Sequence, residues 1–336
     1  VPIVTLLLAL VVVFTAAELF TNALEITGER IGVSEGVTGS IFAAVGTAMP
    51  ETIVPIVAIL GGGSSVELNH AVGLGAILGA PFMLATLSLG MMAWFAGNKR
   101  GWSKPLNPEP TGLRRDLRVF FIGYGLAVVV GVLPAEWHWL RILASIILCI
   151  VYFLYLLKTI RASHDLVQNG HATEADNHLH AAKFLGATNA IVASQLIAGL
   201  LLLVWGAKLF VAGIEDISGM MSISALIVSL LIIPVATELP EKINSILWIR
   251  RDRDTLAFGN LTGAMVFQGT LLPALGMILM PWHLEITSAA AVSILLALAG
   301  AGWLSWLHTS GRLRPSFLLA NASLYGLFII YVVLTA

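Results

Sequence analysis

Long apolar runs alternate with short polar connections along the whole chain. Stretches of ~20 mostly apolar residues, the length that carries a helix across a bilayer, recur near 2–24, 34–61, 68–96, 117–134, 138–158, 187–214, 222–249, 255–280, 286–307 and 315–335. The pattern predicts an all-α integral membrane protein with ten transmembrane helices. Two longer polar stretches interrupt it: GNKRGWSKPLNPEPTGLRRD at 97–116, rich in proline and charge, and a His-rich stretch at 161–183. The second separates two groups of five spans.

Charge placement gives the segments a direction. Fifteen of the eighteen Lys and Arg residues fall in the connections after odd-numbered spans, from Arg30 through the Lys99–Arg118 group to Arg312 and Arg314. The connections after even-numbered spans (GGGSSVELNHAV, PAEWHW, EDISGMMSIS, MPWHLEIT) hold none, and Arg141, Lys208 and Lys242 lie within spans. Cytoplasmic connections carry the excess of basic residues. Both termini are therefore expected outside, in a multi-pass protein of the cell membrane.

Composition agrees. Hydrophobic residues make up 58% and charged residues 11%, with mean hydropathy +0.91, whereas soluble domains carry about 25% charge. A net charge of -1 offers no basic surface for nucleic acid. The single Cys149 excludes an intrachain disulfide and, lying in an apolar run, is expected to be a buried thiol. No cleavable signal is obvious: the N-terminal run begins without Met or a basic leader segment, as a trimmed start would.

The chain also repeats itself. AELFTNALE (17–25) aligns with AKLFVAGIE (207–215) at an offset of 190, and the same offset lays Thr47 on Thr237, Pro50 on Pro240 and Glu51 on Glu241. Further on, GAILGA (75–80) matches GNLTGA (259–264). The expected organisation is a first five-helix repeat over 1–160, a cytoplasmic His-rich linker over 161–186 and a second five-helix repeat over 187–336. An odd number of spans per half makes the second half enter the membrane from the opposite side. Such inverted repeats are a design of secondary transporters, with the binding site near the midplane.

Within each half, one turn places a carboxylate directly after a proline in otherwise apolar sequence: GTAMPET (46–52) and ATELPEK (236–242). Proline lacks an N–H and clashes with the carbonyl four residues back, here those of Gly46 and Ala236. Freed carbonyls in hydrocarbon need partners. Together with Thr47, Thr237, Glu51 and Glu241 they would make an all-oxygen cage of the kind Ca2+ takes, with about 6–8 ligands. The plainer alternative is a pair of proline kinks with protonated glutamates, but ionisable residues inside a membrane usually mark function. Glycines at spacing four (Gly75 and Gly79, Gly259 and Gly263) allow close helix approach beside these turns.

These residues resemble the alpha repeats of the cation/Ca2+ exchanger superfamily, which includes the sodium/calcium exchangers. The family pattern is a G-T-S-L-P-E turn followed by G-N-x-x-G-S-N-I-x-[ND]. Here the halves read GTAMPE with GAILGAPFML, and ATELPE with GNLTGAMVFQ. The resemblance implies that Glu51 and Glu241, with the carbonyls of Thr47 and Thr237, hold Ca2+.

Departures bear on the coupling ion. The family's serine after Thr is Ala48 and Glu238, that of the second motif is Ala80 and Ala264, and the final Asn/Asp positions are Leu84 and Gln268. Loss of these sodium ligands argues against three-sodium coupling, and the G-N-x-x-E-L motif of the proton-coupled branch is absent. Glu238 is then either a further carboxylate ligand or proton carrier, or a structural partner of Lys242. Gln268 faces the site by its family position. Lys242 either points away or substitutes its charge for a bound cation.

The expected function is antiport of Ca2+ or a similar divalent cation against H+ by alternating access. The alternatives are Na+-coupled Ca2+ exchange with fewer Na+ ions, a passive cation channel and a non-transporting membrane scaffold. No nucleophile–base pair suggests an enzyme, and no cofactor is expected beyond the transported ion. His164, His171, His178 and His180 read as a solvated loop rather than a metal site. Glu18 and Lys208, at equivalent positions of the halves, read as a helix-end pair. Trp102, Trp137, Trp139, Trp282, Trp303 and Trp306 read as interfacial anchors.

Overall fold

The structure is a computed structural model that describes residues 2–30, 48–134, 136–168, 188–285 and 288–335. Thr47, His171, His178, His180 and the first part of the span expected at 34–61 lie outside the described residues. Among the described residues every regular element is a helix and there is no strand. In chain order these are α1 (Pro2–Arg30), α2 (Met49–Val57, running on as a π-helical turn over Ala58–Gly62) and α3 (Val66–Met83). A π-helical turn over Leu84–Ser88 joins α3 to α4 (Leu89–Arg100), and α5 (Pro110–Gly131) and α6 (His138–Gln168) follow. The remainder are α7 (Asn189–Met221), α8 (Ala225–Thr237), α9 (Leu239–Arg250) and α10 (Asp254–Leu279), then α11 (Ala289–Thr309), α12 (Pro315–Leu318) and α13 (Ala320–Thr335).

Among the described residues, seven helical stretches are long and apolar enough to cross a membrane: Pro2–Thr27, Val66–Arg100, His138–Arg161, Asn189–Met221, Asp254–Leu279, Ala289–Thr309 and Pro315–Thr335. Met49–Gly61 and Ala225–Thr237 are apolar but shorter. The segment expected as one span at 222–249 is two helices, α8 and α9, that meet at Glu238. A backbone surrounded by lipid satisfies its N–H and C=O groups within each helix, which is why apolar runs of this length adopt no other form.

The described residues pack into two units, Val1–Asn69 with Leu154–Met220, and His70–Phe153 with Met221–Ala336. Both draw on each half of the sequence.

In the first unit α1 and α7 run antiparallel through a small-residue seam. Gly199 meets Phe20, Gly206 meets Val13 and Gly213 meets Leu6, so one number rises by seven as the other falls by seven. A Cβ at Gly199 would lie 2.9 Å from the main-chain nitrogen of Phe20. On α1 the fully buried Ala9, Ala16 and Ala23 keep the same spacing, and Ala16 and Ala17 pack with Leu203. Small residues let helix backbones approach where the surroundings supply no hydrophobic drive. Polar links fix the pairing: Gln195 donates its Nε2 to Asn22 Oδ1 and to the Leu19 carbonyl, each at 3.0 Å, and Arg30 Nη1 donates to Asn189 Oδ1. Met49 and Ile53 of α2 pack onto the same seam.

In the second unit α10 lies along α5, with Gly123 against Thr270 and Gly269 against Phe120. Gly79 of α3 sits where a Cβ would come within 2.5 Å of the Leu230 carbonyl, and Gly75 against Ser229, so the glycine pair expected to permit close approach does so on α8. Around Gly259 there is open space instead.

Trp282 is not an interfacial anchor. It is buried, with its Nε1 donating to the Ala127 carbonyl at 2.9 Å and its ring against Gly131 and Gly276. The two glycines leave a slot that the ring fills. The buried Arg141 guanidinium binds the carbonyls of Trp282 (2.7 Å), Leu133 (2.9 Å) and Pro134 (3.2 Å), so this span-internal charge ties down the end of α5. Cys149, expected to be buried, is exposed on α6 beside the exposed Ile146, Ile147, Ile150 and Phe153, a face whose apolar character suits lipid rather than a protein core.

At the other end of the unit, Arg100 pairs with both carboxylate oxygens of Asp254 and with Asp252 (2.8 Å), and also donates to the Ile249 carbonyl at 3.2 Å. Asp254 in turn accepts the Asn107 amide at 2.6 Å, tying the 101–109 connection to the start of α10.

Candidate cation site

Both Pro–Glu turns begin helices. Pro50 lies in the first turn of α2 and Pro240 in that of α9, where a missing N–H leaves no intrahelical bond unmade. Both prolines fall inside spans expected to be continuous; the second instead marks a restart of the chain. Glu51 and Glu241 therefore both occupy helix first turns, where the positive end of the helix dipole favours an anion.

The α8–α9 break builds the second unit's acidic turn. Glu238 bridges the two helices with φ -87° and ψ 6°, its amide bonded to the Pro234 carbonyl at 3.1 Å and its carbonyl to the Lys242 amide at 3.2 Å. Its side chain is fully buried. Gln268 of α10, buried opposite, donates its Nε2 to Glu238 Oε1. Glu241, one turn on, is also buried. Asn260 of α10 donates to the Glu241 main-chain carbonyl and to Ser245 Oγ, both at 2.9 Å, and so pins the first turn of α9. Three acceptors remain: Glu238 Oε2, Glu241 Oε2 and Gln268 Oε1 are buried with no hydrogen-bond partner among the described residues. Buried polar oxygens are rarely left so. Such oxygens suit a hard cation or a proton.

Lys242 is buried as well. Its Nζ lies 3.1 Å from the Pro234 carbonyl and 3.4 Å from Met83 Sδ. Thr237 is buried at the end of α8, and its hydroxyl donates back to the Ile233 carbonyl at 3.2 Å, which leaves its main-chain carbonyl as the group aimed out of the helix end.

Glu51 belongs to the first unit, at the start of α2, and is buried. Thr52 beside it returns its hydroxyl to the Ala48 carbonyl at 2.7 Å. Thr47 lies outside the described residues. Of the six expected site residues, the second unit thus brings Glu238, Glu241, Gln268 and Thr237 to one helix break. Sequence reasoning missed Asn260, although it is the Asn of the GNLTGA motif, and Pro234, whose carbonyl receives Lys242. Glu18 and Lys208 are exposed on α1 and α7.

Known proteins align with this architecture. A family model described as sodium/calcium exchanger protein matches residues 1–161 and 191–335. An uncharacterized membrane protein of Methanocaldococcus jannaschii is 22% identical over 268 residues, covering 77% of this chain and 76% of its own length. Among solved structures, the H+/Ca2+ exchanger CAX is similar with a TM-score of 0.67 at 16% identity, over 99% of this chain and 86% of that one. The sodium-calcium exchanger NCX_Mj is similar with a TM-score of 0.54 at 21% identity, over 98% of this chain and 97% of that one. Given the family match along nearly its whole length, the chain belongs to the sodium/calcium exchanger protein family, a family of membrane transporters rather than enzymes.

Proposed function

We propose that the protein is a secondary active antiporter of the cell membrane that exchanges Ca2+, or a similar divalent cation, for H+ by alternating access. The observation that carries this reading is the buried α8–α9 turn, where Glu238 and Glu241 keep carboxylate oxygens without hydrogen-bond partners among the described residues. Glu51, Glu241 and the carbonyls of Thr47 and Thr237 are the proposed cation ligands, with Glu238 and Gln268 supplying further oxygens. The family membership and the equivalent Pro–Glu turns support the assignment of Glu51 and Thr47.

The proposed architecture is ten spans in two inverted five-helix repeats, with both termini outside. The two stretches matched by the family model, 1–161 and 191–335, run close to the repeat boundaries read from the sequence and support that division.

Protons are the proposed counter-ion. The serines and the Asn/Asp that would hold sodium are Ala80, Ala264 and Leu84, while protonatable carboxylates remain. A carboxylate cannot hold a proton and coordinate a divalent cation at once, and that exclusion couples the two fluxes. The test is 45Ca2+ binding and uptake by Glu51→Gln and Glu241→Gln in reconstituted vesicles. Both variants are expected to lose uptake; near-normal flux in both overturns the reading.

A further inference from the structure

We propose that Lys242 is a tethered counter-ion that stands where a coupling monovalent cation would otherwise be needed, so that the divalent ion binds without Na+. The proposal rests on the antiport reading above and concerns the charge balance of the same site.

The position of the ammonium is unusual for a surface lysine. Lysine is almost never buried unless its charge is compensated, and here the side chain is 7% exposed. It turns back across the break between α8 and α9 to the Pro234 carbonyl at 3.1 Å, with the Met83 thioether at 3.4 Å. Pro234 lies in the last turn of α8. Carbonyls there carry the negative end of the helix dipole, and Pro240 supplies no N–H to the Ala236 carbonyl. In transporters built with broken helices, such C-terminal carbonyls are where a coupling Na+ or H+ is held. Lys242 brings a covalently attached positive charge to that kind of ligand.

Formal charge supports the same assignment. The α8–α9 turn carries Glu238 and Glu241 as acids and Lys242 as its one base. Fully ionised, these three groups leave one negative charge on the turn. Remove the lysine charge and two remain, a deficit of one monovalent cation. A buried site penalises any uncompensated charge heavily, so the deficit has to be met from solution. Glu238 and Lys242 thus place an acid and a base within one turn of each other.

The alternative role for Lys242 is a plain staple across the helix break. The two roles separate in 22Na+ binding to the purified full-length protein in detergent, with monodispersity on size exclusion as the folding control. Wild type and Lys242→Arg are expected to show no saturable Na+ site. Lys242→Gln and Lys242→Met are expected each to gain one, with 45Ca2+ binding that becomes Na+-dependent. Either neutral variant suffices should the other fail to fold. A saturable Na+ site in the wild type, or its absence from a folded neutral variant, overturns the proposal. Failure of the antiport reading shows separately, as wild-type vesicles that move no 45Ca2+ under any gradient.

Discussion

Asn260 of α10 donates its side-chain amide to the main-chain carbonyl of Glu241 at 2.9 Å, and to Ser245 Oγ at the same distance. The carboxylate of Glu241 thus stands on a turn that a neighbouring helix holds in place. Removing the amide in Asn260→Ala deletes two hydrogen bonds, each worth about 0.5–1.5 kcal/mol. The variant is expected to fold, lose about 1–3 kcal/mol of stability by that accounting, and bind 45Ca2+ severalfold more weakly. Unchanged affinity in a destabilised variant would show that the amide only packs the two helices.

Arg100 and Asp254 are both shielded, with side-chain exposures of 6% each. Arg100→Ala leaves a buried carboxylate held by the Asn107 amide without its cation. Stranding one member of a buried pair costs about 3–5 kcal/mol. Thermal unfolding in detergent should show a large loss for Arg100→Ala. Asp252, on the exposed side of the same guanidinium, should matter much less when changed to Asn.

Glu109 gives a pH signature outside the spans. It caps α5, accepting the amides of Thr111 at 2.8 Å and Gly112 at 2.5 Å. Partial burial opposes the charged form, but the Gly112 and Thr111 hydrogen bonds and the nearby Arg115 outweigh it and hold the carboxyl below its usual range. A carboxylate lowered on folding stabilises the fold above its unfolded pKa, and that contribution disappears as pH falls through the lowered folded value. Wild type should therefore exceed Glu109→Gln in thermal stability at pH 7, with the gap closing in acid below the ordinary carboxylate range. A gap constant with pH would mean that the cap works through shape alone.

The α1–α7 seam predicts contrasting effects at two glycines. At Gly199 a new side chain meets the Phe20 backbone, which cannot rotate away, whereas Gly259 faces open space. Gly199→Val should destabilise by about 1–3 kcal/mol, the usual cost of overpacking. Gly259→Ala should be near neutral in the same unfolding assay.

Hydropathy located the seven long apolar helices found among the described residues, because lipid leaves the backbone few options and those runs have the length to use them. The twin Pro–Glu turns carried the family, since a proline beside an acid in apolar sequence has few purposes. What one dimension hid was direction and partner. Pro240 lies inside one expected span but starts α9, because the distinction depends on whether the preceding helix continues. Trp282 and Cys149 exchanged roles: an aromatic near a span end went inside a glycine-lined slot, and a thiol in an apolar run went to the outer face. Cys149 lies in uniformly apolar sequence, where periodicity cannot separate a lipid-facing side from a protein-facing one, and Trp282 lies in a connection, where hydropathy says nothing of what the ring packs against. The π-helical turn at Leu84–Ser88 left no trace in the hydropathy pattern either, since it alters hydrogen bonding without altering residue type. Lys242 was visible as an oddity after Glu241, but its turn back to Pro234 needed coordinates.

The central claim is antiport of a divalent cation against protons, and vesicles test it most directly. Protein reconstituted in liposomes would be given 45Ca2+ with an imposed pH gradient and no Na+, and separately with a Na+ gradient at equal pH. Uptake driven by the pH gradient, abolished when the gradient is collapsed, is the predicted result. Uptake that follows the Na+ gradient and ignores pH would contradict it.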